Sequence, residues 1–346
     1  MELGSEYNLS LHDLNISEDN FFSYIKELNN LLLNSGRSAI KVIPKKNGRV
    51  LLPEFVCESV INCFNYNDIV FYKINDDCSI NMDDLLGKIN NKIKTLYITH
   101  YFGVNQASSF LKEIKLIASE FDITIIEDTT QNLFNKRQER VADYYIASIR
   151  KWLPIPMGGV LYAEKILERG ALEKSINNKR TYGAVLKELF LQYELDCNTE
   201  YRKIFSECEE EIDKEKPMII SDFSRFIISC ISIKDLIRKR QENYNQLLKG
   251  LGLLNIKPIV DIKPDDCPFV FPLRVPKRDK LRQYLMDNKI YCAVHWPFDG
   301  FSREQRPQAV KNAKTLISLP VDQRYDKAHI NYLLDVISDY KGELQF

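Results

Sequence analysis

Through the first half of the chain, short apolar runs rich in β-branched residues alternate with longer amphipathic stretches. Val50–Leu52, Ile69–Ile74, Thr95–Thr99, Ile123–Glu127, Tyr144–Ala147 and Val160–Ala163 read as strands. Between them, Phe110, Ile114, Ile117 and Ala118 share one face at helical spacing and predict a helix over Phe110–Glu120. Strands that are apolar on both sides and separated by helices describe a mostly parallel sheet covered on both faces, an α/β fold. Polar residues follow several of the strands: His100 one, Asp128 another, Ser148 a third. In open α/β sheets, ligands bind off the carboxyl ends of the strands, so this clustering marks a candidate site.

The pattern changes after the last of these strands. Ile166 to Lys216 is charged and helical, and its acidic run from Glu207 to Glu211 reads as a solvated helix face. A long helix is expected over Ile220–Lys249, with Gly250 and Gly252 breaking it. Strand and helix patterns resume beyond, after a segment punctuated by Pro258, Pro264, Pro268 and Pro272. The expected organisation is a large α/β domain over 1–250, with a helical insertion at about 166–216, and a small C-terminal α+β domain over 251–346.

Composition narrows the function. Lys plus Arg and Asp plus Glu each sum to 48, so the formal charge is zero and nothing draws a polyanion or an acidic membrane. No nucleic acid partner is expected. At 45% apolar and 28% charged residues the chain is an ordinary globular protein. None of the eight cysteines stands in C-x-x-C spacing and only four histidines accompany them, so no metal is expected. Scattered thiols suit a reducing compartment, and MELGSEYNLS lacks the order of a signal peptide, which gives a cytoplasmic expectation. The longest apolar stretch, around Phe226–Ile233, is far short of the roughly 18 residues a membrane span needs.

Four segments could carry chemistry. Asn34–Ile40 offers a Ser/Gly turn ahead of a helix, a phosphate cradle or a plain helix cap. In Thr124–Gln131, Asp128 just past a buried strand could pair with a protonated heterocyclic nitrogen or cap a helix, and Gln131 could reach an adjacent phenolic oxygen. Lys151 follows an apolar strand and precedes a Pro/Gly-rich segment; desolvated there, it could form a Schiff base, although most lysines are surface charges. His295 and Trp296, beside Pro297, could line a substrate pocket or pack in a core.

Cradle, acid and lysine stand in that order, and here the chain resembles a known family: the DegT/DnrJ/StrS-type sugar-nucleotide aminotransferases, pyridoxal phosphate (PLP) enzymes of fold type I. NSGRSAI resembles the family's S-G-T-x-A-L, THYFGVN its H-x-x-G turn, and IIEDTTQNL its I-E-D-A-A-[HQ]-x-L segment. Lys151 precedes Gly158 and Gly159 by the family's spacing, and LISLPVDQRYDKAHINYLL is similar to its I-L-S-L-P strand and closing helix. The resemblance runs over Ser35–Ala163 and the end of the chain.

What the resemblance implies is specific. The fold would be that of aspartate aminotransferase, and Lys151 would hold PLP as a Schiff base and move the proton. Asp128 would pair with the pyridine nitrogen and Gln131 with the 3-oxygen. Gly36, Arg37 and Ser38 would bind the phosphate, with Ser148, three residues before the lysine, adding a hydroxyl. Cys57 stands where a ring-stacking aromatic is usual. The reaction would place an amino group, with glutamate as donor, on a nucleotide-linked keto sugar, in a homodimer. His100, Arg180, His295 and Trp296 are substrate candidates, and Arg303 and Arg306 join Arg180 as cations for a diphosphate. Two other readings stay open: a PLP-dependent deoxysugar dehydratase, against which Lys151 argues, and a non-catalytic relic serving as a regulatory or assembly partner.

Overall fold

The computed structural model describes residues 2–10, 15–26, 29–135, 140–163, 172–175, 178–298 and 300–340. Seven strands form the central sheet: β1 (Asn29–Leu33), β2 (Arg49–Pro53), β3 (Ile69–Tyr72), β4 (Ile93–Thr99), β5 (Thr124–Asp128), β6 (Tyr144–Ala147) and β7 (Gly159–Ala163). Their spatial order is β1-β7-β6-β5-β4-β2-β3. All neighbours are parallel except β7, which runs against both β1 and β6. The period-two alternation divides the strands between two cores. Leu51, Leu96, Ile98 and Ile125 pack on one face. Val50, Leu52, Tyr97, Ile126 and Ile146 pack on the other, with Ala39 and Ile40 of helix α1 (Gly36–Lys41).

The expected α/β class is therefore observed, and every expected strand is present. β1 was not expected. Its Asn29-Asn30 start is unfavourable for a strand, and only Leu31 to Leu33 carry an apolar signal. Helix α2 (Ser108–Glu120) contains the expected Phe110–Glu120 stretch.

The expected helical insertion lies partly outside the described residues. Its described part forms α3 (Asn178–Tyr193) and α4 (Asn198–Lys214), packed on each other. The single helix expected over Ile220–Lys249 is two, α5 (Asp222–Ser229) and α6 (Ile233–Leu253). Ser232 accepts from the Asp235 amide, while Asp19 accepts from the amides of Ile233 and Lys234, so a new N-terminus is capped there. Nor do Gly250 and Gly252 end the helix. A Cβ on Gly250 would come within 2.5 Å of Leu334, so this glycine admits α9 (Lys327–Asp339) against α6.

The C-terminal segments build a third core. β8 (Phe271–Arg274) pairs antiparallel with β9 (Leu316–Leu319). Helices α7 (Arg278–Asp287) and α9 pack there with Tyr244, Leu247 and Leu251 of α6; α8 (Pro307–Thr315) leads into β9. The chain's beginning joins them, because Leu3–Gly4 pairs in parallel with Ile290–Tyr291. No helix among the described residues is long and apolar enough to cross a membrane.

This topology gathers the polar residues at one edge. Strand β5 ends there in Asp128, and His100 and Ser148 stand just past the ends of β4 and β6. Because β7 is reversed, its first residue, Gly159, sits at the same edge opposite Leu33, where β1 turns into Asn34, Ser35 and Gly36.

Candidate active site

A cavity of about 670 Å³ opens at this edge, and Lys151, Asp128, Gln131, Ser148, Gly36 and Arg37 all line it. One wall is the turn into α1. Ser35 accepts from the Ser38 amide at 3.1 Å and donates to the Ser38 hydroxyl, which in turn donates to Asn34 Oδ1 at 2.5 Å. Ser38 is thus spent beneath the turn and does not line the cavity, contrary to the direct role expected for it. The first-turn amides of Gly36 and Arg37 have no partner inside the helix. Close packing holds the turn: a Cβ on Gly159 would lie 2.2 Å from the Ser35 carbonyl oxygen, and one on Gly36 would lie 3.3 Å from Ser148 Cβ.

Asp128 closes β5. Its Oδ2 accepts from the Tyr97 hydroxyl at 2.9 Å, and its Oδ1 from the Thr130 amide at 2.8 Å. Burial, reinforced by the Asp128 charge, pushes the Tyr97 phenol well above its ordinary value, so it remains a donor. Gln131 accepts from the Phe102 amide at 2.8 Å, which fixes its oxygen. Its Nε2 is buried with no hydrogen-bond partner among the described residues. A buried unpaired donor costs about 1–3 kcal/mol, so this amide asks for an acceptor in the cavity.

Lys151 sits in a 3-10 turn, Ile149–Lys151, and is half-buried. No ion pair or hydrogen bond engages its ammonium among the described residues. Its neighbour pins the turn: Trp152 donates from Nε1 to the Thr130 carbonyl at 2.7 Å, accepts from Gln323 at 2.6 Å, and lies under the Arg240 guanidinium at 4.3 Å.

Of the expected substrate residues, His100, His295 and Trp296 line the cavity and Arg180 does not. His100 Nδ1 accepts from the Gln106 amide at 3.0 Å, so its proton is on Nε2, facing Glu127 Oε2 at 2.9 Å. Both ring nitrogens are therefore committed. His295 pairs with the Ser318 hydroxyl at 2.9 Å; burial and the Lys151 charge push its pKa down to about 3, so it is a neutral imidazole. Trp296 packs on Phe55. Cys57 lines the cavity too, accepting from the Ser59 hydroxyl at 3.2 Å.

The cations read as diphosphate candidates separate. Buried Arg180 is paired with Glu209 and Glu6. Arg306 donates to the Glu54 carbonyl at 2.8 Å and lies over Phe71 and Phe298, a structural strut. Arg303 is exposed on a second cavity of about 630 Å³, which shares Arg282, Cys292 and Ala293 with the first.

A charged wall of the cavity was missed. Glu6, Arg37, Arg150 and Glu209 all line it. The acidic run of α4 is consequently not one solvated face: Glu207 and Glu211 hold Lys179, whereas Glu209, two residues from each, reaches three arginines and lines the cavity. The only sequence signal was that offset.

No family model matches the chain, and no curated protein matches it. Solved structures do. The sugar aminotransferase CalS13 from Micromonospora echinospora is 16% identical, with a TM-score of 0.64 over 92% of this chain and 90% of that one. NtdA from Bacillus subtilis, solved with bound cofactor PMP, is 14% identical with a TM-score of 0.63 over 92% of this chain and 74% of that one. A DegT DnrJ EryC1 StrS aminotransferase from Brucella abortus is 14% identical with a TM-score of 0.62 over 93% and 88%. The chain therefore has the fold of these aminotransferases, PLP fold type I, as its sequence motifs implied. Within that fold it keeps a lysine, an acid and an unpaired amide around one cavity.

Proposed function

We propose that the chain is a PLP-dependent aminotransferase that moves an amino group from an amino acid, glutamate, to a nucleotide-linked keto sugar. The observation that carries this reading is Lys151, partnerless among the described residues, in the same cavity as Asp128 and the orphaned Gln131 Nε2. These residues fit the cofactor. Asp128 is the partner for the pyridine nitrogen, Gln131 donates to the 3-oxygen, and the Gly36 and Arg37 amides with the Ser148 hydroxyl take the phosphate. When bound, PLP supplies an electron sink for charge developing on the substrate carbon. Lys151 would hold the cofactor through its Nζ, and the same amine would take the proton from the amino-bearing carbon of the substrate. The neutral His295 imidazole beside it adds no competing charge.

The neighbours named as sugar aminotransferases support a sugar acceptor. Nucleotide linkage is supported by the second cavity, where Arg282, Arg303 and Lys314 are exposed cations. In this reading the chain is a cytoplasmic homodimer, with a large unit over 1–250 and a small one over 251–346; sedimentation of the purified protein tests the dimer.

The deciding experiment is a visible absorption spectrum with PLP, beside Lys151→Ala, followed by glutamate. A band of lysine-bound PLP in the wild type, absent in the variant and bleached by glutamate, is the expected result. No lysine-dependent band would sink the enzymatic reading. A band that glutamate leaves unchanged would keep the cofactor and remove the donor.

A further inference from the structure

Glu209 has no part in the chemistry above, yet it joins the two segments that do. Its Oε2 accepts from Arg37 Nη2 at 2.7 Å, and Arg37 also pairs with Asp213 one turn further along α4. Its Oε1 accepts from Arg150 Nη2 at 2.5 Å and from Arg180 Nη1 at 2.7 Å. Glu6 reaches the same pair, 2.9 Å from Arg180 and 3.6 Å from Arg150. Arg37 is the second residue of the turn whose amides face the cavity, and Arg150 immediately precedes Lys151. Gly36, just before Arg37, packs close to Ser148, two residues before Arg150: a Cβ on the glycine would lie 3.3 Å from Ser148 Cβ.

We infer that Glu209 is a positioning residue, a clamp that holds the phosphate-binding turn and the lysine turn in register; the inference rests on the cofactor reading above. Three arginines face Glu6, Glu209 and Asp213, so the cluster is balanced in charge. The arginine side chains are largely withdrawn from water, at 11% exposure for Arg37, 12% for Arg150 and 3% for Arg180, while Glu209 bridges them with 39% of its own side chain exposed. Like charges so placed stay together only while a carboxylate bridges them. The three arginines hold Glu209 down at about 2, against the opposing effect of burial, so the bridge is ionised at any working pH. Without it, Arg150 and Arg180 keep Glu6 and Arg37 keeps Asp213, but no carboxylate links Arg37 to the other two, and the two turns separate. A carboxylate that merely neutralised the wall would act with the opposite sign: its removal would leave one more positive charge and tighten binding of an anionic cofactor.

The test uses the full chain as Glu209→Gln, Glu209→Asp and the control Glu207→Gln, a carboxylate of the same helix that pairs with Lys179 of α3. PLP is titrated by its visible band, and amide hydrogen exchange is followed in the unliganded protein. Glu209→Gln is expected to bind PLP about ten- to a hundredfold more weakly. Exchange should quicken at Ser38–Ala39 and Ile149–Trp152 and not across the sheet. Glu209→Asp should recover part of the affinity, and Glu207→Gln should match the wild type. Equal or tighter PLP binding by Glu209→Gln, or unchanged exchange at both turns, overturns the clamp. A wild type that gives no lysine-dependent band instead sinks the cofactor reading, and the exchange measurement then decides the clamp alone.

Discussion

His295 sits between a hydroxyl and an ammonium, and its titration follows from that place. Burial and the Lys151 charge lower its pKa from 6.5 to about 3 in the folded chain. Between those values the unfolded chain binds the extra proton, so stability is complete above about pH 6.5 and is lost as pH falls toward 3. Denaturant midpoints of the unliganded protein should therefore decline on acidification, and His295→Gln should decline less steeply from pH 6.5 to 4. Equal slopes would show that His295 is solvated. The residues legible from sequence were those whose meaning is local. Asp128 and Gln131 share one strand end, and Lys151 keeps its spacing to Gly158 and Gly159. Glu209 was not legible, because its partners lie 172 residues away at Arg37 and 59 away at Arg150. Ser38 was misjudged for a related reason: a hydroxyl at the start of a helix can serve a ligand or the turn beneath it, and only the geometry of Asn34 decides.

At the scale of elements, the reversed strand β7 matters most. Being antiparallel, it brings its first residue to the edge where the other strands end, and that residue must be glycine. A Cβ at position 159 would drive into Ser35, whose backbone cannot yield without moving the turn. Gly159→Ala should therefore cost about 1–3 kcal/mol of stability, as overpacking does, and should weaken PLP binding as well. Urea unfolding and the PLP titration check both. A loss of stability with unchanged PLP binding would show that the turn relaxes without harm. The strands facing two cores were readable because both of their sides are apolar. β1 escaped because only Leu31 to Leu33 carry its apolar signal, too short a run after two asparagines, although Leu32 packs in one core and Leu31 and Leu33 in the other. The junction at Ser232 escaped because the cap on Ile233 and Lys234 comes from Asp19, more than two hundred residues earlier.

Across the whole molecule, the first described residues tie the C-terminal core to the cavity. Gly4 adopts φ +85° and donates to the Tyr325 hydroxyl at 2.6 Å, and a Cβ there would lie 1.9 Å from the Tyr291 carbonyl oxygen. Two residues on, Glu6 meets Arg150 and Arg180. Gly4→Ala should unseat this strand, at a cost of at least about 1–2 kcal/mol from the backbone alone, and should free Glu6 from the arginines. Faster hydrogen exchange at Leu3 and Ser5 would report the first effect, and a weaker PLP titration the second. This pairing also orders events in time. A chain leaving the ribosome can complete its seven-stranded sheet once Ala163 has emerged, but the strand at Leu3 must wait for Ile290. Throughout that interval the charged wall lacks Glu6, so a nascent chain carries a formed sheet and an unfinished pocket. The segment carrying Ile290, and not the sheet, then sets when the charged wall is complete.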